Sequence, residues 1–336
     1  MNGLTRRDFL GASAAGLAVL LAGCGGSSSS ANSGPWTFTD DRGVKVSLKS
    51  QPKRIVAYDI AAAGLMNLGL NCVGIFASYP LNQNPTLSGL DLTGVATISS
   101  TYGDLDLELL ASVRPDLIVT IYDPRLSGPL IGFPDTATQA KVQQLAPIVA
   151  INSVKDITPV INRFEQLAQA LGVDLGGSVV KNAHQAFATA SKNVQTATKN
   201  NPGIKVIAIA AFQGKGIAFT RPDQHPTFRL YSQLGVDFVP ITSTPGDENT
   251  NYNAFFYEFD SFELAGKYPA DIILYSDLPG AETPSQLASV PTWAALPAVK
   301  AGQLLPWRVL DPFSDKVLAQ DLNAIAQAIT KAHVVT

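Results

Sequence analysis

Few residues of this 336-residue chain are equipped for covalent chemistry, since it holds only two cysteines and three histidines. His225 follows Asp223 in the loop Thr220-Arg221-Pro222-Asp223-Gln224-His225. That pair could belong to a hydrolytic triad, but two residues on one loop are awkwardly placed to share a hydrogen-bond relay, and no Gly-x-Ser-x-Gly elbow accompanies them. Gly214-Lys215-Gly216 lacks the third glycine of a dinucleotide loop and reads as a hairpin turn. Cys72, within Leu70-Asn71-Cys72-Val73-Gly74, reads as a small core residue. His184, His225 and His333 are scattered, so neither a metal site nor a cofactor is expected. The chemistry that does recur is one of holding. Tyr58, Phe76, Tyr79, Tyr122 and Arg125, then Phe212, Arg221, His225, Tyr275, Trp307 and Arg308, fall at or just beyond the ends of apolar runs. An arginine fork suits carboxylate or phenolate oxygens, and aromatic faces cover the apolar flanks of a bulky molecule. The set predicts capture of an anionic or oxygen-rich ligand without turnover.

A different chemistry marks the amino end. Thr5-Arg6-Arg7-Asp8-Phe9-Leu10 leads into an uncharged apolar stretch, Gly11 to Leu21, too short to span a bilayer as a helix. It ends in Leu21-Ala22-Gly23-Cys24 and is followed by Gly25, Gly26 and the serines Ser27 to Ser30. The arginine pair resembles a twin-arginine export signal and the cysteine segment resembles the lipobox of bacterial lipoproteins. Residues 1–23 are therefore expected to be a signal peptide, Cys24 the lipidated residue, and 24–35 a flexible tether at the outer face of the cytoplasmic membrane. Cleavage removes two arginines and one aspartate, taking the formal charge from −3 to −4. An acidic body argues against a nucleic-acid partner.

The elements that must position the aromatics and arginines read as an α/β protein. Trp36 to Leu48 alternates and turns at Asp41-Arg42-Gly43, predicting a hairpin. The buried run Ile55-Val56-Ala57-Tyr58, a helix pattern from Ala61 to Leu68 and a second run Cys72 to Phe76 begin an alternation that continues to Val149, implying βαβ units and parallel-type sheets. Glu108 to Val119 has a counterpart in Glu263 to Leu274. In both, a glutamate opens a short helix and an aspartate eight residues later precedes a buried strand, which suggests two lobes of similar build. The expected division is an N-terminal lobe over 36–177, one long rigid helix over 178–200, and a C-terminal lobe over 201–336, with two Rossmann-like lobes enclosing a ligand cleft.

In order along the chain, Asp40-Asp41-Arg42-Gly43, Pro52-Lys53-Arg54-Ile55-Val56, Leu68-Gly69 with Val73-Gly74, Glu108 with Pro115-Asp116-Leu117-Ile118, Leu234-Gly235, Ala270-Asp271-Ile272-Ile273 and the run Trp293 to Gly302 resemble the ABC-importer solute-binding proteins that carry ferric siderophores, haem or cobalamin. The resemblance implies a binding protein rather than an enzyme, acting as a monomer. It implies an iron chelate as ligand, a ferric siderophore ahead of haem or cobalamin, and ABC permease subunits as partners. Docking on the permease falls by motif position on Glu108 and Glu263. The second segment departs from the pattern by carrying Ala270 where the first has Pro115. An exported α/β hydrolase and a non-transport sensory module are the alternative readings.

Overall fold

Apolar runs without alternation demand sheets covered on both faces, and two such sheets form. They are seen in a computed structural model that describes residues 34–212, 214–244 and 255–336. The expected signal peptide, the lipidation site Cys24 and the tether as far as residue 33 lie outside the described residues. The body opens with the antiparallel hairpin β1 (Trp36–Thr39) and β2 (Lys45–Leu48). Then come β3 (Ile55–Tyr58), α1 (Asp59–Asn67), β4 (Cys72–Phe76), β5 (Ala96–Ser99), α2 (Leu107–Ser112), β6 (Leu117–Tyr122), α3 (Thr136–Leu145), β7 (Ile148–Asn152) and α4 (Ile157–Ala170). The five strands β3 to β7 make one parallel sheet in the order β5-β4-β3-β6-β7. Strand order reverses between β3 and β6, so a crevice opens beyond their carboxyl ends.

Helix α5 (Ser178–Asn200) follows, 23 residues without an internal proline or glycine and thus about 34 Å long. Its buried Ala190, Val194 and Ala197 pack along the C-terminal helix Asp315–Lys331, which buries Leu318, Leu322, Ile325 and Ile329. The second sheet contains β8 (Lys205–Phe212), β9 (Gly216–Thr220), β10 (Asp237–Phe238), β11 (Tyr257–Asp260), β12 (Ile272–Ser276) and β13 (Leu304–Trp307), with α6 (Pro226–Gln233) between β9 and β10.

This second sheet is mixed. β10 and β12 run parallel to β8, and β13 runs parallel to β12, but β9 is antiparallel to β8 and β11 antiparallel to β9. The departure from an all-parallel sheet has a simple cause, because a connection of three residues can close a hairpin but cannot carry a parallel crossover. Gly216 begins β9 at φ 97°, and a Cβ there would sit 2.1 Å from the Asp260 carbonyl oxygen. Only glycine admits that approach.

The sequence repeat has a structural meaning. Asp116 accepts the backbone N–H groups of Lys53 and Arg54 at 2.9 and 2.8 Å, and Asp271 accepts that of Lys205 at 2.8 Å. In each lobe the aspartate before an inner strand pins the start of its neighbour. The result is two α/β lobes whose apolar core runs from the first sheet through α5 and the C-terminal helix to one face of the second, while the other face has its own core around Trp293.

Candidate functional site

The carboxyl ends of the strands in both sheets face a cavity of about 810 Å³. The first lobe supplies Tyr58 from the end of β3, Ile121 from β6, and Tyr102, Arg125, Ser153 and Val154 from loops. The second supplies Phe212 from β8, His225, Tyr257 and Phe259 from β11, Phe256 before it, and Val309 to Asp311 with Phe313 from the segment after β13. Apolar and aromatic groups thus dominate, with few charges, as in preformed pockets for small molecules.

The wall on the first lobe is a packed aromatic stack. Tyr58 lies 5.5 Å from Phe76 between ring centroids, and Phe76 lies 5.4 Å from Phe133. The Tyr58 hydroxyl meets Ser78 Oγ at 2.8 Å. Burial, aided by Asp59, holds its pKa well above the usual phenol range. Asp59 begins α1 fully buried. Desolvation raises its carboxyl to about 6 even though it accepts hydrogen bonds from the Ser78 and Ile60 backbones and the Asn84 amide. Gly132, at φ 93°, lets the β6–α3 loop lie on this stack, since a Cβ there would come within 2.6 Å of Phe76 and 2.7 Å of Tyr58.

Arg125 spans the cavity. Its Nε and Nη2 donate to Asp123 at 2.9 and 2.7 Å, while its guanidinium lies 4.8 Å from the centroid of Phe255 in the other lobe. The cation is therefore largely balanced by a buried carboxylate before any ligand arrives. Opposite, His225 stands among Phe228, Phe256, Tyr257 and Trp307, with ring centroids 5.1 to 5.8 Å away. Its Nε2 is buried with no hydrogen-bond partner among the described residues, and desolvation, with Arg229 nearby, lowers its pKa to about 3. It is a neutral ring in the wall. Asp311 completes that side. Burial lifts its carboxyl to about 7, opposed by a hydrogen bond from Thr227 and by Arg308, and assisted by Asp321 and Asp277. Phe313 carries φ 41°, a backbone region uncommon for a side chain of its size, and stacks on Phe164 at 5.7 Å.

Of the residues expected to bind ligand, the structure brings Tyr58, Arg125, Phe212 and His225 together in the cavity wall. The others stand elsewhere. Phe76 supports Tyr58 from behind, and Tyr79 is half-buried near Asp59. Tyr122 donates its hydroxyl to the Asp41 carbonyl at 2.8 Å, tying the hairpin to the sheet. Arg221 is 3% exposed and holds the Ser243 carbonyl and hydroxyl at 2.7 and 2.8 Å. Tyr275 packs against the second core, and Trp307 donates its indole N–H to the Ile209 carbonyl at 3.2 Å. Arg308 turns to Asp321 at 3.4 Å and to the Pro85 carbonyl, which ties the lobes together. Residues that strand-end reading missed include Tyr102, Tyr257, Phe259, Asp311 and Phe313. The alternation Tyr257–Phe259 was a usable signal, since one strand face then carries both rings. Glu108 and Glu263 are both exposed, each in the first turn of a short helix. Cys72 is buried, its thiol pushed up to about 12 by desolvation.

Residues 82–308 match the periplasmic binding protein family. The chain belongs to that family. As a periplasmic binding protein it is an extracytoplasmic solute-binding component of ABC transport, and not an enzyme. Among its relatives, YhfQ of Bacillus subtilis (strain 168), whose name places it with ABC transporter substrate-binding lipoproteins, is 25% identical over 299 residues, which is 86% of each chain. DesE, a ferric-siderophore receptor protein from Streptomyces coelicolor, is 30% identical and superposes with a TM-score of 0.80 over 90% of this chain and 100% of its own. FhuD2 from Staphylococcus aureus with bound ferrioxamine B shares the periplasmic binding fold at 18% identity and a TM-score of 0.56, over 83% of this chain and 98% of that one.

Proposed function

We propose that this periplasmic binding protein captures a ferric siderophore in the cavity between its lobes and delivers it to the permease of an ABC importer. The observation that carries the reading is the cavity itself: about 810 Å³, at the strand ends of both lobes, walled by aromatic rings. That volume suits a bulky chelate and exceeds what a bare ion needs. The likeness to DesE, a ferric-siderophore receptor, supports the same class of ligand. The charges favour an oxygen-rich chelate of low net charge, because Asp123 already balances Arg125 and Asp311 adds a buried carboxyl on the facing wall. Haem or cobalamin ranks second, since His225 would have to turn out of its aromatic cage to reach a metal.

Titration of intrinsic fluorescence with ferric siderophores of differing charge, haem and cobalamin tests this. Trp307 touches the ring of His225 and so stands one residue behind the wall. Saturable quenching by ferric siderophores, and by the low-charge ones most tightly, is expected; tight binding of haem or cobalamin alone would overturn the assignment.

Delivery is proposed to involve Glu108 and Glu263 as contacts to permease arginines. Anchoring is proposed to occur through a lipid on Cys24, checked by whether Cys24→Ala leaves the membrane fraction or stays unprocessed.

A further inference from the structure

His184, one of the three histidines scattered along the sequence, lies on α5. In the fold it is met by two carboxylates from two other helices. Its Nε2 lies 2.5 Å from Glu165 Oε1, on α4, and 3.6 Å from Asp315 Oδ2, in the first turn of the C-terminal helix. The three donor atoms all fall within 4.8 Å of one another. Both carboxylates are largely buried, with side-chain exposure of 11%, whereas the imidazole is 47% exposed.

This is an unusual use of polar groups for a helix junction. Two carboxylates are withdrawn from water toward one ring nitrogen, which can satisfy at most one of them with a proton. Burying like charges beside each other without full compensation is costly. A divalent cation placed among the three atoms compensates both. A tetrahedral site with bonds of about 2.0–2.1 Å sets its donors about 3.3 Å apart. The Asp315 to His184 distance is already close to that, and the Glu165 to His184 contact need open by less than 1 Å when an ion replaces the shared proton. The half-exposed imidazole leaves the fourth position open to water. One imidazole with two carboxylates suits a first-row transition ion such as zinc better than calcium or magnesium, which favour all-oxygen shells.

We infer that Glu165, His184 and Asp315 form a site for a divalent transition-metal ion that clamps α4, α5 and the C-terminal helix together. The clamp sits directly behind the cavity wall. Phe164, adjacent to Glu165, stacks on Phe313, two residues before Asp315, and Phe313 lines the cavity. Bound metal thus fixes the junction on which the two lobes bear.

The test uses the untagged full chain and the metal alone. Zinc binding is followed by calorimetry against a competing chelator, and cobalt binding by visible absorption. The expected result is one ion per chain, cobalt bands of four-coordinate intensity, and a rise of several degrees in melting temperature at a hundredfold excess of zinc over Kd, reversed by chelator. His184→Ala and Asp315→Asn should each weaken zinc at least tenfold, while His333→Ala should not. His184→Gln, which keeps a polar side chain at a half-exposed position, serves as the second variant if either of the first two unfolds. Absence of saturable binding to the wild-type chain would overturn the site, as would equal affinity in a folded His184 variant. Neither outcome bears on siderophore binding, which is measured separately.

Discussion

Asp311 and His225 face the same cavity and titrate in opposite senses. In Asp311, burial holds the folded pKa at about 7 against an ordinary 3.8. Between those values the folded protein keeps a proton that the unfolded chain has released, so this residue's contribution is full at low pH and is lost as pH rises through 7. Asp311→Asn should therefore gain stability relative to the parent as pH rises from 4 to 7, on the order of 1–4 kcal/mol across the window. Melting curves of both proteins over that range check it, and a constant difference would contradict it. His225, held down at about 3 by burial, acts the other way and costs stability as pH falls below about 6.5. The arginines separate just as clearly. Arg125→Ala should weaken chelate binding about tenfold to a hundredfold, more for anionic than for neutral chelates, because it unmasks the buried Asp123 beside the cavity. Arg221→Ala should instead lower the melting temperature with little change in affinity, since its guanidinium is spent on Ser243. Equal binding losses in both variants would show that this division is wrong.

At the scale of elements, the aspartates that pin neighbouring strands explain why the two halves of the chain look alike. Asp271 is fully buried and accepts backbone N–H groups from Lys205, Val335 and Thr336. Asp271→Ala leaves those donors unpaired and should cost about 1–3 kcal/mol, seen as a lower denaturant midpoint with unchanged slope. An unaltered midpoint would mean that water replaces the carboxylate. The strand and helix alternation of the first lobe, the long helix and the paired lobes were legible because their signals are local: apolar runs, an uninterrupted helical pattern, a repeated Glu-to-Asp spacing. The cavity wall was legible only in part. Strands buried on both faces lose the alternation that tells one side from the other, so Tyr58 and Phe76, paired across β3 and β4, could not be ranked as wall and support. Tyr122 and Trp307 also end strands, yet each spends its polar atom on a backbone carbonyl. The strained turn at Phe313 had no sequence signal at all, because nothing in the residue type announces a positive φ.

For the whole molecule, the α5–C-terminal helix pair and contacts such as Thr86 Oγ1 to the Leu310 carbonyl, 2.8 Å, join the lobes behind and beside the cavity. Glu108 and Glu263 lie outside the cavity lining, and both are exposed. Glu108→Lys with Glu263→Lys should leave chelate affinity and melting temperature nearly unchanged while uptake falls, because like charges then oppose the arginines expected on the permease. Full uptake would refute the docking assignment, and joint loss of uptake and binding would place these residues in the fold or the pocket. If an iron chelate sits between the lobes, as proposed, anomalous scattering at the iron edge from crystals grown with a low-charge ferric siderophore will locate it there. A single iron peak within the cavity bounded by Tyr58, Arg125, Phe256 and Phe313 is the predicted result; a peak confined to the surface, or siderophore density elsewhere on the protein, would contradict it.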